Sequence, residues 1–253
     1  MKNENLIKCC LDKGICPDNF IGTIENMKPK LNFSISTRKE FTKRNSIDDI
    51  INNGYKNIVM ILESPHINEY KYANENFIAP AIGKTGDFLQ RYFYACIKSC
   101  LSHDEKYNVI LMNAIQYQCS LGEDTIIYRD KLWCDLWFNY NKKDDFINRL
   151  KHYNPDIIIN ACTIGMHIVH ETNKKQKPNL KYIKDIIQKS SQYETTIENI
   201  KTFNMNDKYS LRGYVETEII NFDFEKDVKL YYIAHPSSWF NSNNRETNDI
   251  ITD

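Results

Sequence analysis

Asn57-Ile-Val-Met-Ile-Leu62, followed at once by Glu63-Ser64-Pro65-His66-Ile67-Asn68-Glu69, is the stretch on which the fold turns. The first part is short, apolar and β-branched, as expected of a strand covered on both faces. The polar run begins where that strand stops. Three segments repeat the pattern: Tyr107-Asn-Val-Ile-Leu-Met112, Asp156-Ile-Ile-Ile-Asn160 and Lys229-Leu-Tyr-Tyr-Ile-Ala234. Helical spacing lies between them. Gly83 to Ser99 carries Phe88, Leu89, Tyr92, Phe93 and Cys96 on one face. Asp130 to Tyr153 holds a second helical stretch, broken near Tyr140. Thr163 to Glu171 holds a third, with Thr163 as its N-cap. Strands alternating with helices predict an α/β sandwich around a parallel sheet.

Composition narrows the class. The chain has 253 residues, 42% hydrophobic and 26% charged, which is ordinary globular usage and argues against overall disorder. Lys plus Arg equals Asp plus Glu at 33 each, so a uniformly basic nucleic-acid binder is excluded, though a local basic face is not. No apolar run approaches the ~18 residues of a membrane span. The start, Met1-Lys-Asn-Glu-Asn5, lacks an apolar signal core. A cytoplasmic chain is expected, with its cysteines reduced. These are Cys9, Cys10, Cys16, Cys96, Cys100, Cys119, Cys134 and Cys162, with no CxxC among them. Free thiols, or a ligand set of unusual spacing, both fit.

Two regions interrupt the strand–helix rhythm. Residues 1–50 are polar and include the basic stretch Thr37 to Arg44, and are expected to form an N-terminal extension packed on the core. Residues 51–253 then form the main domain, with an insertion at about 172–228. The insertion starts Lys-rich (Lys174, Lys175, Lys177, Lys181, Lys184), which suits a solvated face or DNA contact. Its later part, Leu211 to Ile220, alternates like a hairpin strand.

In open α/β sheets, ligands bind beyond the carboxyl ends of the strands. The four expected strands are followed there by Glu63 to Glu69, by Asn113-Ala-Ile-Gln116-Tyr117, by Asn160-Ala-Cys-Thr-Ile-Gly165, and by His235-Pro236-Ser237-Ser238-Trp239-Phe240. Two carboxylates, an Asn and two His thus meet at one edge. Carboxylates orient water or steady an oxocarbenium-like cation. An Asn amide reads the edge of a base. A His donates to an oxygen gaining negative charge. Together they suit hydrolysis of a glycosidic bond to a leaving base. Ser64 lacks the Gly-x-Ser-x-Gly setting of a serine nucleophile. His167 and His170 read as surface or core residues of a predicted helix.

The ordered set Leu62-Glu63-Ser64-Pro65-His66-Ile67-Asn68-Glu69, Pro80-Ala81-Ile82-Gly83-Lys84-Thr85-Gly86, Met112-Asn113-Ala114-Ile115, Leu211-Arg212-Gly213 and His235-Pro236-Ser237 resembles the uracil-DNA glycosylase superfamily, nearest its family-four branch. The resemblance covers roughly residues 55 to 245. It implies a three-layer α/β/α sandwich with a central, mostly parallel four-stranded sheet. It implies that Asn113 bonds the edge of a flipped pyrimidine, that His235 stabilises the departing base, and that Glu63 or Glu69 orients water or steadies the sugar. Base flipping needs a pocket and a wedge. Ser64, Pro65, His66, Phe77 and Ala81 would line the pocket. Lys84, Thr85, Arg212, Ser237, Ser238, Trp239 and Phe240 would meet DNA, with Trp239 or Phe240 as wedge.

The departures shape the expectation further. Ser64 stands where many relatives carry an aspartate. Ala81 stands where an aromatic stacks on uracil, with Phe77 a possible substitute, and His66 replaces a Gly or Tyr. A roomier pocket implies a bulky modified base, such as glucosylated hydroxymethylcytosine of viral DNA, and hence an antiviral role. The branch also implies an iron–sulfur cluster, for which Cys10, Cys16, Cys119 and Cys134 are the nearest matches, although glycosidic hydrolysis requires no cofactor. The expected protein is a monomeric DNA glycosylase. Rival readings are a uracil-DNA glycosylase of base-excision repair, a non-catalytic binder of modified DNA, and a hydrolase of free nucleosides.

Overall fold

The four apolar runs form the centre of one sheet. The computed structural model describes residues 3–33, 46–70, 78–120, 129–165 and 210–249. Its elements are α1 (Asn3–Asp12), β1 (Asn19–Glu25), β2 (Lys28–Leu31), α2 (Ile47–Ile50), β3 (Lys56–Leu62), α3 (Lys84–Ile97), β4 (Lys106–Asn113), α4 (Lys131–Asn139), α5 (Lys142–Tyr153), β5 (Ile157–Asn160), α6 (Leu211–Asn221), β6 (Lys229–Tyr232) and the two-residue β7 (Asn248–Asp249). The strand order is β2-β1-β4-β3-β5-β6-β7.

Neighbours among β4, β3, β5 and β6 run parallel. The pairs β2–β1, β1–β4 and β6–β7 are antiparallel. The expectation of a mostly parallel, four-stranded sheet is therefore corrected: the four strands are present and parallel, but the whole sheet is mixed and wider. The added strands β1 and β2 come from the N-terminal region that its polarity marked as an extension. β2 is the sheet edge and largely exposed, and β1 beside it is buried on one face and half open on the other, so neither has the continuous apolar run of a strand covered on both faces. Gly22 lies at a bulge in β1 with φ 143°, and a Cβ there would stand 2.0 Å from the Lys30 carbonyl oxygen, so the β1–β2 contact requires glycine.

Alternation along β3 feeds both faces of the sheet. Ile58, Met60 and Leu62 pack with Leu89, Phe93 and Ile97 of α3. Val59 and Ile61 pack with Trp133 and Trp137 of α4, Phe146 and Leu150 of α5, and Val215 and Ile219 of α6. The predicted break near Tyr140 lies between α4 and α5, where Asn141 adopts a left-handed conformation at φ 54°.

Two other expectations change. Leu211 to Ile220 is the helix α6 and not a strand; the Ser210 hydroxyl caps it, accepting from Gly213 N at 2.9 Å. Burial on nearly every side of α6 hides the helical period that an exposed face would show. Thr163 to Gly165 are not helical, although the Thr163 hydroxyl accepts from Gly165 N at 3.4 Å. Residues 166–171, with His167 and His170, lie outside the described residues, as do Phe77, the Lys-rich run and the basic stretch Thr37 to Arg44. Among the described residues no helix is long and apolar enough to cross a membrane.

The sheet is pinned at its far edge by two buried asparagines that pair in register, Asn57 on β3 and Asn108 on β4. Asn57 Nδ2 donates to the Tyr153 carbonyl at 3.0 Å, and Asn108 Nδ2 donates to Asn57 Oδ1 at 2.9 Å. Asn57→Leu would remove the side-chain donor to the Tyr153 carbonyl, while Asn108 keeps the Ile50 carbonyl and Asn53 Oδ1 as acceptors, for a cost of about 1–3 kcal/mol. Urea denaturation is expected to show the midpoint falling at constant slope.

Candidate active site

Parallel pairing brings the carboxyl ends of β4, β3, β5 and β6 to one edge. The ladder extends past the strands: Ala114 N donates to the Leu62 carbonyl at 2.7 Å, Ile115 N to the Glu63 carbonyl at 3.1 Å, and Ile233 N to the Asn160 carbonyl at 3.0 Å. Glu63, Asn113, Thr163 and His235 consequently lie at that edge.

Glu63 is buried. Its Oε2 lies 3.3 Å from His235 Nε2 and accepts from Thr163 N at 3.3 Å. Trp133 Nε1 donates to the Glu63 carbonyl at 2.8 Å and fixes the main chain beneath it. On the other side of the imidazole, Ser237 N donates to His235 Nδ1 at 3.2 Å, and the Ser237 hydroxyl lies 2.8 Å from the same nitrogen. A backbone N–H can only donate, so Nδ1 is the acceptor and the proton of the neutral ring sits on Nε2, facing Glu63.

Asn113 ends β4 and is 1% exposed. Its main-chain N–H donates to Asp18 Oδ1 at 3.2 Å, and its carbonyl accepts from Arg149 Nη2 at 3.0 Å. Neither Nδ2 nor Oδ1 of its side chain has a hydrogen-bond partner among the described residues. A buried amide left in this condition costs free energy, and such exceptions call for a specific cause. A ligand offering one donor and one acceptor would satisfy both ends of the amide.

Glu69 plays a different part from Glu63. It is buried, and its carboxylate accepts from Ala81 N at 2.7 Å and from His66 N in a short contact, tying the two polar loops together. Burial pushes its carboxyl up to about 8 against the opposing effect of those two N–H donors, and the nearby Glu63 charge adds to the rise. Both oxygens are engaged by backbone, so Glu69 holds the loops in place.

Ala81 is 1% exposed and lies in the apolar cluster with Phe33, Leu89 and Trp239. Its placement gives no support to the expectation that it opens a pocket. Its φ of 59° is left-handed, and Gly86 approaches so closely that a Cβ there would stand 1.9 Å from the Ala81 carbonyl oxygen. Pro65 is buried, and Ser64 is buried against Cys119. His66 is half-buried; burial lowers its pKa, Arg129 lowers it further, and Glu63 opposes both.

The expected DNA contacts divide. Trp239 is fully buried, its Nε1 donating to the Ala234 carbonyl at 2.7 Å, which removes it as a wedge. Phe240, next in the chain, is 73% exposed. Ser237 is exposed, Ser238 half-buried, Lys84 exposed and Thr85 half-buried. Arg212 is turned inward on α6, its Nε 3.8 Å from Glu216 Oε1 and its guanidinium over the Tyr232 ring, so it is not presented to a strand of DNA.

Cys10, Cys16, Cys119 and Cys134 are all buried. Burial pushes the thiols of Cys16, Cys119 and Cys134 up. Cys119 stands within electrostatic reach of Cys10 and Cys134, whereas Cys16 faces Glu69 and Asp18. Among the described residues no group of three or more His, Cys, Asp or Glu is placed to hold a metal ion, so as placed the four do not form a ligand set.

Sequence reasoning missed Arg129, Thr163 as a backbone donor, and the pair Asp18–Arg149. Burial works against the Arg129 charge, but Glu63 and Asp130 outweigh it and hold the guanidinium charged. No periodic signal marks a residue in a turn before a helix. Comparison with protein-family models, with curated proteins and with solved structures finds no match to this chain.

The raised Glu69 carboxyl has a sign for stability. Its folded value of about 8 lies above the ordinary 4.5, so the fold binds the extra proton, and stability falls as pH rises from about 4.5 to 8. Glu69→Gln is expected to flatten that decline; thermal melts of both proteins across this range measure it.

Proposed function

We propose that the protein is a DNA glycosylase, hydrolysing the N-glycosidic bond of a flipped-out modified pyrimidine and leaving an abasic site. The observation that carries this reading is the buried, unpartnered Asn113 amide at the same sheet edge as the Glu63–His235 pair. A pyrimidine edge presents a donor and an acceptor, which suits that amide. The mixed α/β sheet with helices on both faces suits the three-layer α/β/α arrangement of the uracil-DNA glycosylase kind.

In this mechanism the C1′–N1 bond breaks and its electron pair leaves with the base. Glu63 takes a proton from water, which adds at C1′. His235 offers its Nε2 proton to the base oxygen that becomes negative. Phe240 fills the space the base vacates. Glu69 positions the loops and touches no reacting atom. No cofactor enters the reaction. The protein would act in the cytoplasm as a monomer, on DNA carrying a bulky viral base such as glucosylated hydroxymethylcytosine. With Ala81 in the core, the case for bulk rests on Ser64, which is small, uncharged and buried.

One observation favours a second reading. Ser64 places no carboxylate beside the sugar, as a non-catalytic binder of modified DNA would have it.

The test is incubation of the protein with DNA containing uracil, hydroxymethylcytosine or glucosylated hydroxymethylcytosine, followed by alkaline cleavage. Abasic sites in glucosylated DNA alone are expected. Sites in uracil DNA alone would make it a repair enzyme, and binding without sites would favour the second reading. His235→Ala is expected to slow base release by about 10²–10³-fold with the melting temperature unchanged. An unchanged rate would remove His235 from the mechanism.

A further inference from the structure

Beyond His235 the chain forms a loop that is held at several points. Asn244 Nδ2 donates to the Ser238 carbonyl at 3.1 Å, and Thr247 Oγ1 donates to the Cys96 carbonyl at the end of α3 at 2.7 Å. Between these, Arg245 is fixed twice. Its Nε donates to the Trp239 carbonyl at 2.7 Å, and its guanidinium carbon lies 3.7 Å from the centroid of the Tyr92 ring. Tyr92 in turn stacks with Phe88, one turn earlier on α3, at 6.1 Å between centroids.

These contacts consume one face of the guanidinium and one of its donors. Both Nη groups remain without a hydrogen bond, and no carboxylate pairs with Arg245, among the described residues. Its neighbour Glu246 is exposed and makes no ion pair with it among them. Arg245 itself is half-buried, whereas most unpaired arginines are extended into water. A planar fork already held in one orientation loses less conformational entropy when it binds a tetrahedral anion. The exposed Phe240 and Ser237 stand on the same loop.

We propose that Arg245 is a phosphodiester-binding site, held in place by Tyr92 and the Trp239 carbonyl, which grips the DNA strand beside the candidate wedge Phe240. The proposal rests on DNA being the substrate of the site described above. It adds a residue that no sequence motif marked and gives it a role in binding, without contact to the base that is released.

The test uses unmodified DNA, so that it does not depend on base excision. Fluorescence anisotropy gives the affinity of the wild-type protein, R245Q, R245K, Y92L and K106Q for a labelled duplex at several salt concentrations. Lys106 is the control, a cation over the Tyr55 ring on β4 at the opposite edge of the sheet. R245Q is expected to weaken binding about fivefold to tenfold at low salt and to reduce the salt slope by about 0.9, the loss of one phosphate contact. R245K is expected to keep most of the slope with lower affinity, since it retains the charge without the fork. Y92L keeps the charge but frees the guanidinium, and should fall between. K106Q should match the wild type. Equal affinity and slope for R245Q and wild type would overturn the proposal, as would loss on K106Q equal to that on R245Q. Abasic-site formation with no R245Q effect would overturn this site alone, and an R245Q effect with no abasic sites would overturn the glycosylase reading alone.

Discussion

The partly buried ion pair between Asp18 and Arg149 underlies the geometry of the whole site. Asp18 accepts from Arg149 Nη1, from the Tyr153 hydroxyl at 2.8 Å and from the main-chain N–H of Asn113 at 3.2 Å. Arg149 donates to the carbonyls of Asn113 and Ala114 at 3.0 and 3.1 Å. One pair therefore joins the N-terminal region, α5 and the end of β4, and holds both main-chain polar groups of Asn113. A pair that is partly desolvated is weak evidence for net stability, because desolvation opposes the Coulomb gain. Its effect here is to fix position. With its backbone held from both sides, the Asn113 side chain is kept in an unsatisfied setting that a free strand end would relax.

That arrangement explains which parts of the site were legible in the sequence. Glu63, Asn113 and His235 follow apolar runs that read as buried strands, and parallel strands necessarily bring their carboxyl ends together. The helices over Lys84–Ile97 and over Lys131–Tyr153 showed through their apolar spacing, and the break between α4 and α5 through a loss of that spacing. Asp18 could not be found in this way. Its importance comes from the antiparallel pairing of Asn19 with Leu111, a contact between distant segments that leaves no local period. Arg149 looks like any charged residue on an amphipathic helix until the sheet edge is placed beside it.

The residues that moved away from their expected roles did so for a common reason. Trp239, Arg212 and Ala81 were assigned by their position in motifs, and motif position does not state which way a side chain turns. Trp239 is large and apolar, and the Ala234 carbonyl satisfies its one donor, so burial costs it little. Arg212 has Glu216 one helical turn away and Tyr232 beneath it. Ala81 packs where Gly86 leaves room for its carbonyl. In each case local packing decided a question that spacing left open.

The two glutamates of the first polar loop show how environment separates groups of one chemical type. Glu69 is enclosed, with two backbone donors and no cation among its contacts with the described residues, and burial drives its carboxyl toward the neutral form. Glu63 is also buried, but it faces an imidazole N–H and a backbone N–H, and it helps hold the Arg129 guanidinium charged. In the proposed hydrolysis, the group that takes a proton from water must present a carboxyl oxygen to the reacting edge. Glu69 has its oxygens turned to the loop backbone, and Glu63 has one aimed at His235. The two residues, six positions apart in one loop, thus differ in what their oxygens touch: those of Glu69 are held by the loop backbone, whereas Glu63 faces His235, the placement that the proposed hydrolysis calls for.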